Sequence, residues 1–351
     1  MKGLILSGGH GTRLRPLTYS QQKQLIPISN KPILFYTIED LIEAGVKDIG
    51  IIIGPNKEQV IEAVKKANFK AKITFIEQDA PRGLAHAVLI SEDFIGNDPF
   101  VMYLGDNLLR NGIISYSKEF LKGNMDASIL LTEYENPTMF GCAELNSDGT
   151  VKRLIEKPKN PPSNLILVGV YFFRPSIFEA VKKIKPSWRG ELEITDAIQY
   201  LIDKKYNVHS QIVKGWWKDT GKTEDILEAN RLILEDMPMK VEENIKCKII
   251  GKAIVGKDAQ IDEKSLIKGP VIIGKNCIIK KSQIGPFTSI GDGCKIINSN
   301  IEDSIVMENT SVINSGKIIE SLIGRDVKIE RNVKIPKGIT FIIGDNSEVK
   351  I

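Results

Sequence analysis

The sequence predicts two domains of different architecture: an α/β domain with a mostly parallel sheet over residues 1–238, and a parallel β-helix over 245–351. Two observations carry this. Up to about residue 240, short β-branched runs alternate with segments of helical period, the pattern of βαβ units. From about residue 245, aliphatic residues recur every six positions, a period that neither a helix nor an ordinary strand has. A chain of 351 residues is long enough for two such cores without disulfide or metal support.

The elements follow in order. Lys2 to Leu6 reads as a buried strand that runs into a loop with Gly8, Gly9 and Gly11. A helix is expected from about Asn30, with Pro32 in its first turn and Gly45 just past its end. Ile49 to Ile53 is a second buried strand, closed by Gly54-Pro55, and Val60, Ile61 and Val64 mark the apolar stripe of the next helix. Phe100 to Leu104 is a further strand. In such a sheet, ligands bind beyond the carboxyl ends of the strands.

The six-residue period runs through Val255, Ile261, Ile267, Ile273 and Ile279, slips by one, and resumes at Ile284, Ile290 and Ile296. Val306, Val312 and Ile318 follow, then Ile323, Ile329 and Ile335. Small residues such as Ala259, Ser265, Cys277, Thr288, Cys294 and Thr310 stand two positions before many of them. One aliphatic residue per hexad fills a prism-shaped core and the small residue fits beside it. Cys277 and Cys294 are therefore expected as small core residues. Pro336-Lys337-Gly338 is expected to finish the β-helix, with Phe341 to Ile343 closing its last coil.

Composition narrows the function classes. The net charge of +4, with both signs interspersed, and the lack of a basic stripe with interleaved aromatics argue against nucleic acid as a partner. Four cysteines without C-x-x-C spacing argue against a disulfide framework or a zinc site and fit a reducing compartment. The opening apolar run is too short for a signal peptide or a membrane span, so a cytoplasmic protein with no membrane partner is expected.

The chemistry-bearing residues lie in ordered motifs. Ser7-Gly8-Gly9-His10-Gly11-Thr12-Arg13 combines glycines that let backbone amides approach an anion with a planar cation suited to phosphate oxygens. It has neither the dinucleotide fingerprint nor the Walker A spacing. Lys23-Gln24-Leu25-Ile26-Pro27, Gln78 ahead of Pro81-Arg82-Gly83, Gly105-Asp106-Asn107, Glu156-Lys157-Pro158 and Trp217-Lys218-Asp219-Thr220-Gly221 follow. Asp106 at a strand's carboxyl end, joined by Asp219, could hold Mg²⁺ against phosphate oxygens. Each aspartate is also good turn or helix-cap chemistry.

Taken in this order, the motifs resemble the sugar nucleotidylyltransferase family over nearly the whole chain. The resemblance is strongest to its long glucose-1-phosphate thymidylyltransferases, which carry a carboxyl-terminal left-handed β-helix. It implies a Rossmann-like nucleotidyltransferase domain. The implied reaction joins a sugar 1-phosphate to dTTP or UTP by in-line attack on the α-phosphorus with Mg²⁺, releasing pyrophosphate. It implies that Arg13, Lys23 and Lys157 act on the phosphates. Gly8, Gly9, Gly11, Thr12, Gln78 and Gly83 would bind the nucleotide. Asn107, Gly141, Glu156 and Gly169 would bind the sugar, and Asp106 and Asp219 the metal. Phe140 stands where relatives carry tyrosine, and His10 replaces a small residue.

The reaction fits the residues independently. A phosphate monoester is largely ionised near neutral pH and needs no general base, so the obstacles are charge repulsion and alignment. A β-helix that also transfers an acyl group is one alternative, and a catalytically silent regulator is another. His10, His86 and His209 all precede the β-helix, and the charged motif residues are all present, which argues against both. The β-helix is expected to drive homo-oligomerisation, most simply as a trimer.

Overall fold

A computed structural model describes residues 1–9, 11–54, 57–240 and 245–331. His10, Pro55, Ile335 and the expected finish at Pro336-Lys337-Gly338 and Phe341 to Ile343 lie outside the described residues. The chain forms two compact units. One comprises Met1–His10, Gln22–Leu25 and Ile33–Asp219; the other comprises Gly11–Gln21, Ile26–Pro32 and Thr220–Ile351.

The first unit is built on a nine-stranded sheet. Phe100–Leu104, Lys2–Ser7, Asp48–Ile53 and Lys72–Glu77 lie side by side in that order, all parallel. Their side chains alternate between two cores. Leu4, Leu6, Phe100 and Met102 face the helices Leu84–Leu89, Ile177–Val181 and Ile194–Asp203. Ile5, Ile49, Ile51, Val101 and Tyr103 face the helices Ile33–Glu43, Lys57–Ala67 and Ile114–Lys122. Period two sets this alternation, and helices on both faces bury both sides. The long strand Leu165–Phe173 then joins antiparallel to Phe100–Leu104 and brings in Ala127–Glu133, Gly141–Leu145 and Val151–Glu156.

Strand order reverses at Lys2–Ser7: the chain continues to Asp48–Ile53 on one side and later returns to Phe100–Leu104 on the other. The loops that leave the carboxyl ends of these strands therefore diverge and open a crevice.

One expectation is corrected. The helix starts at Ile33, not near Asn30. Ser29 and Asn30 have φ of 48° and 60°, which closes a hairpin between Pro27–Ile28 and Lys31–Pro32. A residue preceding the paired strand in that conformation cannot continue a helix.

The second unit holds the helix Thr223–Asp236 and a parallel β-helix. Its fold matches the left-handed type. Val255, Ile273, Ile290, Val306 and Ile323 stack in register, as do Ile261, Ile279, Ile296, Val312 and Ile329. The third column is Ile249, Ile267, Ile284, Ile301 and Ile318. Cys277 and Cys294 are fully buried, and burial pushes their thiols up to about 12 and about 11.

The short steps of the hexad share one local feature. Where a step shortens, a residue with positive φ is followed by serine: Lys281-Ser282, Asn298-Ser299, Asp303-Ser304 and Glu320-Ser321. Each serine hydroxyl donates to the carbonyl two residues back, at 2.7–2.9 Å. Three of these hydroxyls also accept the backbone N–H of a serine one coil on: Ser299 donates to Ser282, Ser315 to Ser299, and Ser321 to Ser304. No helix among the described residues is long and apolar enough to cross a membrane.

Candidate active site

Asp106 follows the strand Phe100–Leu104 directly after Gly105, whose N–H donates to the Leu6 carbonyl at 2.9 Å. This fixes the loop against the neighbouring strand. Lys23 is buried, with 7 % of its side chain exposed, and its Nζ lies 2.5 Å from the Asp106 carboxylate, itself 22 % exposed. Burial pushes the Asp106 carboxyl up, but the charge and hydrogen bond of Lys23 and the amide of Asn107 outweigh it. The group therefore sits below the ordinary carboxylate range.

Asn107 is buried and ties three elements together. Its Nδ2 donates to Asp106 at 2.9 Å, while its Oδ1 accepts from Trp217 Nε1 at 2.7 Å and from the Gly169 N–H at 3.3 Å. The strand Trp217–Asp219 pairs antiparallel with Asn107–Leu109 and sets Asp219 across from Asn107. Two carboxylates thus stand at one strand end. Among the described residues no cluster of three or more His, Cys, Asp or Glu could hold a metal alone. Two carboxylates, one held ionised, fit a hard divalent cation that takes its other oxygens from phosphate and water.

Gln78, just beyond the strand Lys72–Glu77, faces the loop after the first strand: a Cβ placed on Gly8 would lie 3.2 Å from its Oε1. Gly83 has φ 102°, and a Cβ there would meet the Leu192 carbonyl oxygen at 2.4 Å, so only glycine fits this turn. Gly9 is exposed with open space over it.

A third cluster lies on the antiparallel strands. Glu156 is half-buried and accepts from Thr195 Oγ1 at 3.2 Å. Burial, and then the charge of Glu193, raise its carboxyl. Lys157 has φ 42° and donates its N–H to the Phe140 carbonyl at 3.1 Å. The Phe140 ring meets Trp217 and Tyr134 edge-on, which links this cluster to Asn107. Gly141 and Gly169 do not open onto free space. A Cβ would strike Leu167 and Thr195 at Gly141, and Asn107 at Gly169, all within 2.8 Å. These glycines make room for this chain's own side chains.

The structure thus gathers Gly8, Lys23, Gln78, Gly83, Asp106, Asn107, Gly141, Glu156, Lys157, Gly169 and Asp219 in one unit. Gly11, Thr12 and Arg13 belong to the other, with Arg13 exposed on the turn Thr12–Leu14. Sequence reasoning missed Arg189, whose guanidinium lies 3.7 Å from Glu156 and also pairs with Glu191 and Glu193. An arginine next to glycine among acidic residues was its only sequence signal.

Comparisons with known proteins bear on the chain as a whole. Residues 2–236 match the family model described as nucleotidyl transferase. The whole chain is 48 % identical to a glucose-1-phosphate thymidylyltransferase of Streptomyces antibioticus, covering 99 % of it. It is 44 % identical to the low-salt glycan biosynthesis nucleotidyltransferase Agl11 of Haloferax volcanii, covering each chain in full. A Bacillus anthracis structure described as a glucose-1-phosphate thymidylyltransferase with bound sucrose superposes with a TM-score of 0.62 at 34 % identity. It covers 69 % of this chain and 98 % of its own.

Proposed function

Since the chain belongs to the nucleotidyl transferase family, we propose that it transfers the nucleotidyl group of dTTP to glucose 1-phosphate, releasing pyrophosphate. Nucleotidyl transfer to a sugar 1-phosphate is the activity its full-length relatives support. The observation that carries the reading is the ionised Asp106 held by buried Lys23 at the crevice where strand order reverses.

In the proposed reaction an oxygen of the sugar phosphate forms a bond to the α-phosphorus as the bond to pyrophosphate breaks. The attacking group is already ionised near neutral pH, so the protein orients it and offsets charge. Lys157 and Arg13 would pair with phosphate oxygens and Lys23 with the reacting phosphates, while Glu156 would accept sugar hydroxyls. Gln78 would read the pyrimidine edge. Asp106 and Asp219 would hold Mg²⁺, which when bound offsets the charge that builds on the phosphates.

Pyrophosphate release across dTTP, UTP and several sugar 1-phosphates tests this directly. The pair dTTP and glucose 1-phosphate is expected to turn over fastest, and no release with any sugar 1-phosphate overturns the reading. Lys157→Ala is expected to raise the KM for sugar phosphate by about 10–100-fold, the weight of a charged hydrogen bond, leaving nucleotide preference intact. Gln78→Ala should do the reverse, and the same defect in both variants contradicts the assignment.

Catalysis is assigned to residues 1–238 and assembly to 245–351, with a homotrimer as the simplest closed arrangement. Light scattering of the full chain checks it: a monomer mass overturns the oligomer, and a dimer mass overturns the trimer. The protein is proposed to act in the cytoplasm.

A further inference from the structure

We propose that His86 is a positioning residue: its neutral imidazole fixes the amide of Gln78 so that only an acceptor faces the nucleotide base. This selects pyrimidines that carry an N–H at ring position 3. The inference rests on the reading of Gln78 as the base contact.

The geometry carries it. His86 is in the short helix Leu84–Leu89, buried to 9 % exposure. Its Nδ1 lies 3.0 Å from Gln78 Nε2. Such a pair can be read two ways, because an imidazole nitrogen either donates or accepts and an amide can be turned over. The Gly83 carbonyl decides between them. It lies 3.4 Å from the same amide nitrogen and can only accept, so a donor must face it. Nδ1 must then accept as well, with the imidazole proton on Nε2.

Both amide hydrogens are thereby engaged inside the protein, and Oε1 points the other way, over Gly8. Thymine and uracil present N3–H to such an oxygen. Cytosine presents a lone pair at N3 and is repelled. A site built around a fixed hydrogen-bonding group rejects the mismatched partner far more strongly than one where the group is free to turn.

Protonation would reverse the arrangement. Imidazolium has a hydrogen on Nδ1 and cannot accept from the Gln78 amide. The charged groups facing the ring are Arg82 and Asp79, which pair with each other at 2.6 Å. Burial first, then Arg82, hold the imidazole below its ordinary value of 6.5, with Asp79 opposing. The ring is therefore neutral at pH 7 and charges only on acidification.

The test uses the full chain, with dTTP and dCTP varied at fixed glucose 1-phosphate. The readout is the ratio of their kcat/KM values, in which the titration of the triphosphate and of the sugar phosphate cancels. His86→Leu is expected to lower the dTTP:dCTP ratio by about tenfold or more, mainly through KM for dTTP, with kcat at saturation nearly unchanged. His86→Asn restores the ratio, since Oδ1 occupies the place of Nδ1 and accepts at any pH. In the unsubstituted protein the ratio falls as pH drops below 6.5, and in the His86→Asn variant it stays level.

Gln78→Leu separates the two readings. If it leaves the ratio unchanged, the base contact itself is wrong. If it destroys the ratio while His86→Leu preserves it, the base contact stands and the positioning role is overturned. Should His86→Leu fail to fold, a ratio independent of pH in the unsubstituted protein overturns the proposal by itself.

Discussion

Asp106→Asn lowers kcat for pyrophosphate release by about 10³-fold, the weight of one preorganised electrostatic contact to a transition state. That is about 4 kcal/mol of barrier. The substitution also leaves Lys23 buried without its charge partner, so it costs stability as well as activity. Breaking a buried pair from one side costs up to about 3–5 kcal/mol, whereas replacing both partners by uncharged residues is often close to neutral. The double variant Lys23→Met/Asp106→Asn is therefore expected to recover much of the lost thermal stability and none of the lost turnover. Thermal unfolding and steady-state kinetics on the three variants check both parts. Near-normal turnover by a folded Asp106→Asn variant excludes Asp106 from the chemistry.

A chain cut after Pro238 is expected to lose activity to background, although the Bacillus anthracis relative is matched over 98 % of its length by only 69 % of this chain. The reason lies in which residues the β-helix holds. Asn230 is buried, and its Oδ1 accepts from the Ser29 N–H at 2.9 Å and from Ser289 Oγ at 2.7 Å. Its Nδ2 donates to the Phe287 carbonyl at 3.2 Å, and Asn30 Nδ2 donates to the Ile290 carbonyl at 2.6 Å. The Leu17 side chain, in the segment that carries Arg13, lies against Gly324. Arg231 forms a two-pronged pair with Asp303. The cut leaves the Ser29–Asn230 bond but removes Ser289, Phe287, Ile290, Asp303 and Gly324, each buried hydrogen bond being worth about 0.5–1.5 kcal/mol. Segments Gly11–Gln21 and Ile26–Pro32 then lose most of their unit. Pyrophosphate release by the truncated chain at the full-length rate would show that Arg13 needs none of this support.

The β-helix was the most legible part of the sequence, because one aliphatic residue per corner leaves a periodic trace. Even there Ile301 escaped notice. It stands five residues from both Ile296 and Val306, where two consecutive corners are short, so it breaks the six-residue count. Three of the parallel strands were readable from short apolar runs, whereas Lys72–Glu77, with a lysine and a glutamate at its ends, was not read as one. The antiparallel strands Gly141–Leu145 and Val151–Glu156 were not readable either, since charged residues interrupt both.

At the candidate site, the motifs identified residues but not their relations. Lys23 and Asp106 are 83 positions apart, and only the sheet brings them within 2.5 Å. His86 entered the sequence argument only as a histidine that precedes the β-helix, because its meaning depends on where the Gln78 amide points. At Gly141 and Gly169 the sequence likewise could not show which of this chain's own side chains, Asn107, Leu167 and Thr195, pack against them.

The serine corners of the β-helix bear on how such a chain can lengthen. Residues stacked at equivalent places along one column, Val255 to Ile323, are 18, 17, 16 and 17 positions apart. Coils of unequal length therefore share one core, with every difference absorbed at a turn. Gain or loss of a single residue at a corner is tolerable when a left-handed residue and a serine take up the slack. The same change within a flat strand would turn the aliphatic side chains outward. Duplication of a whole coil would preserve all three columns, and its serine would accept from the next one. Heritable changes in the length of this domain should therefore come as single residues at the corners or as steps of about 17 residues.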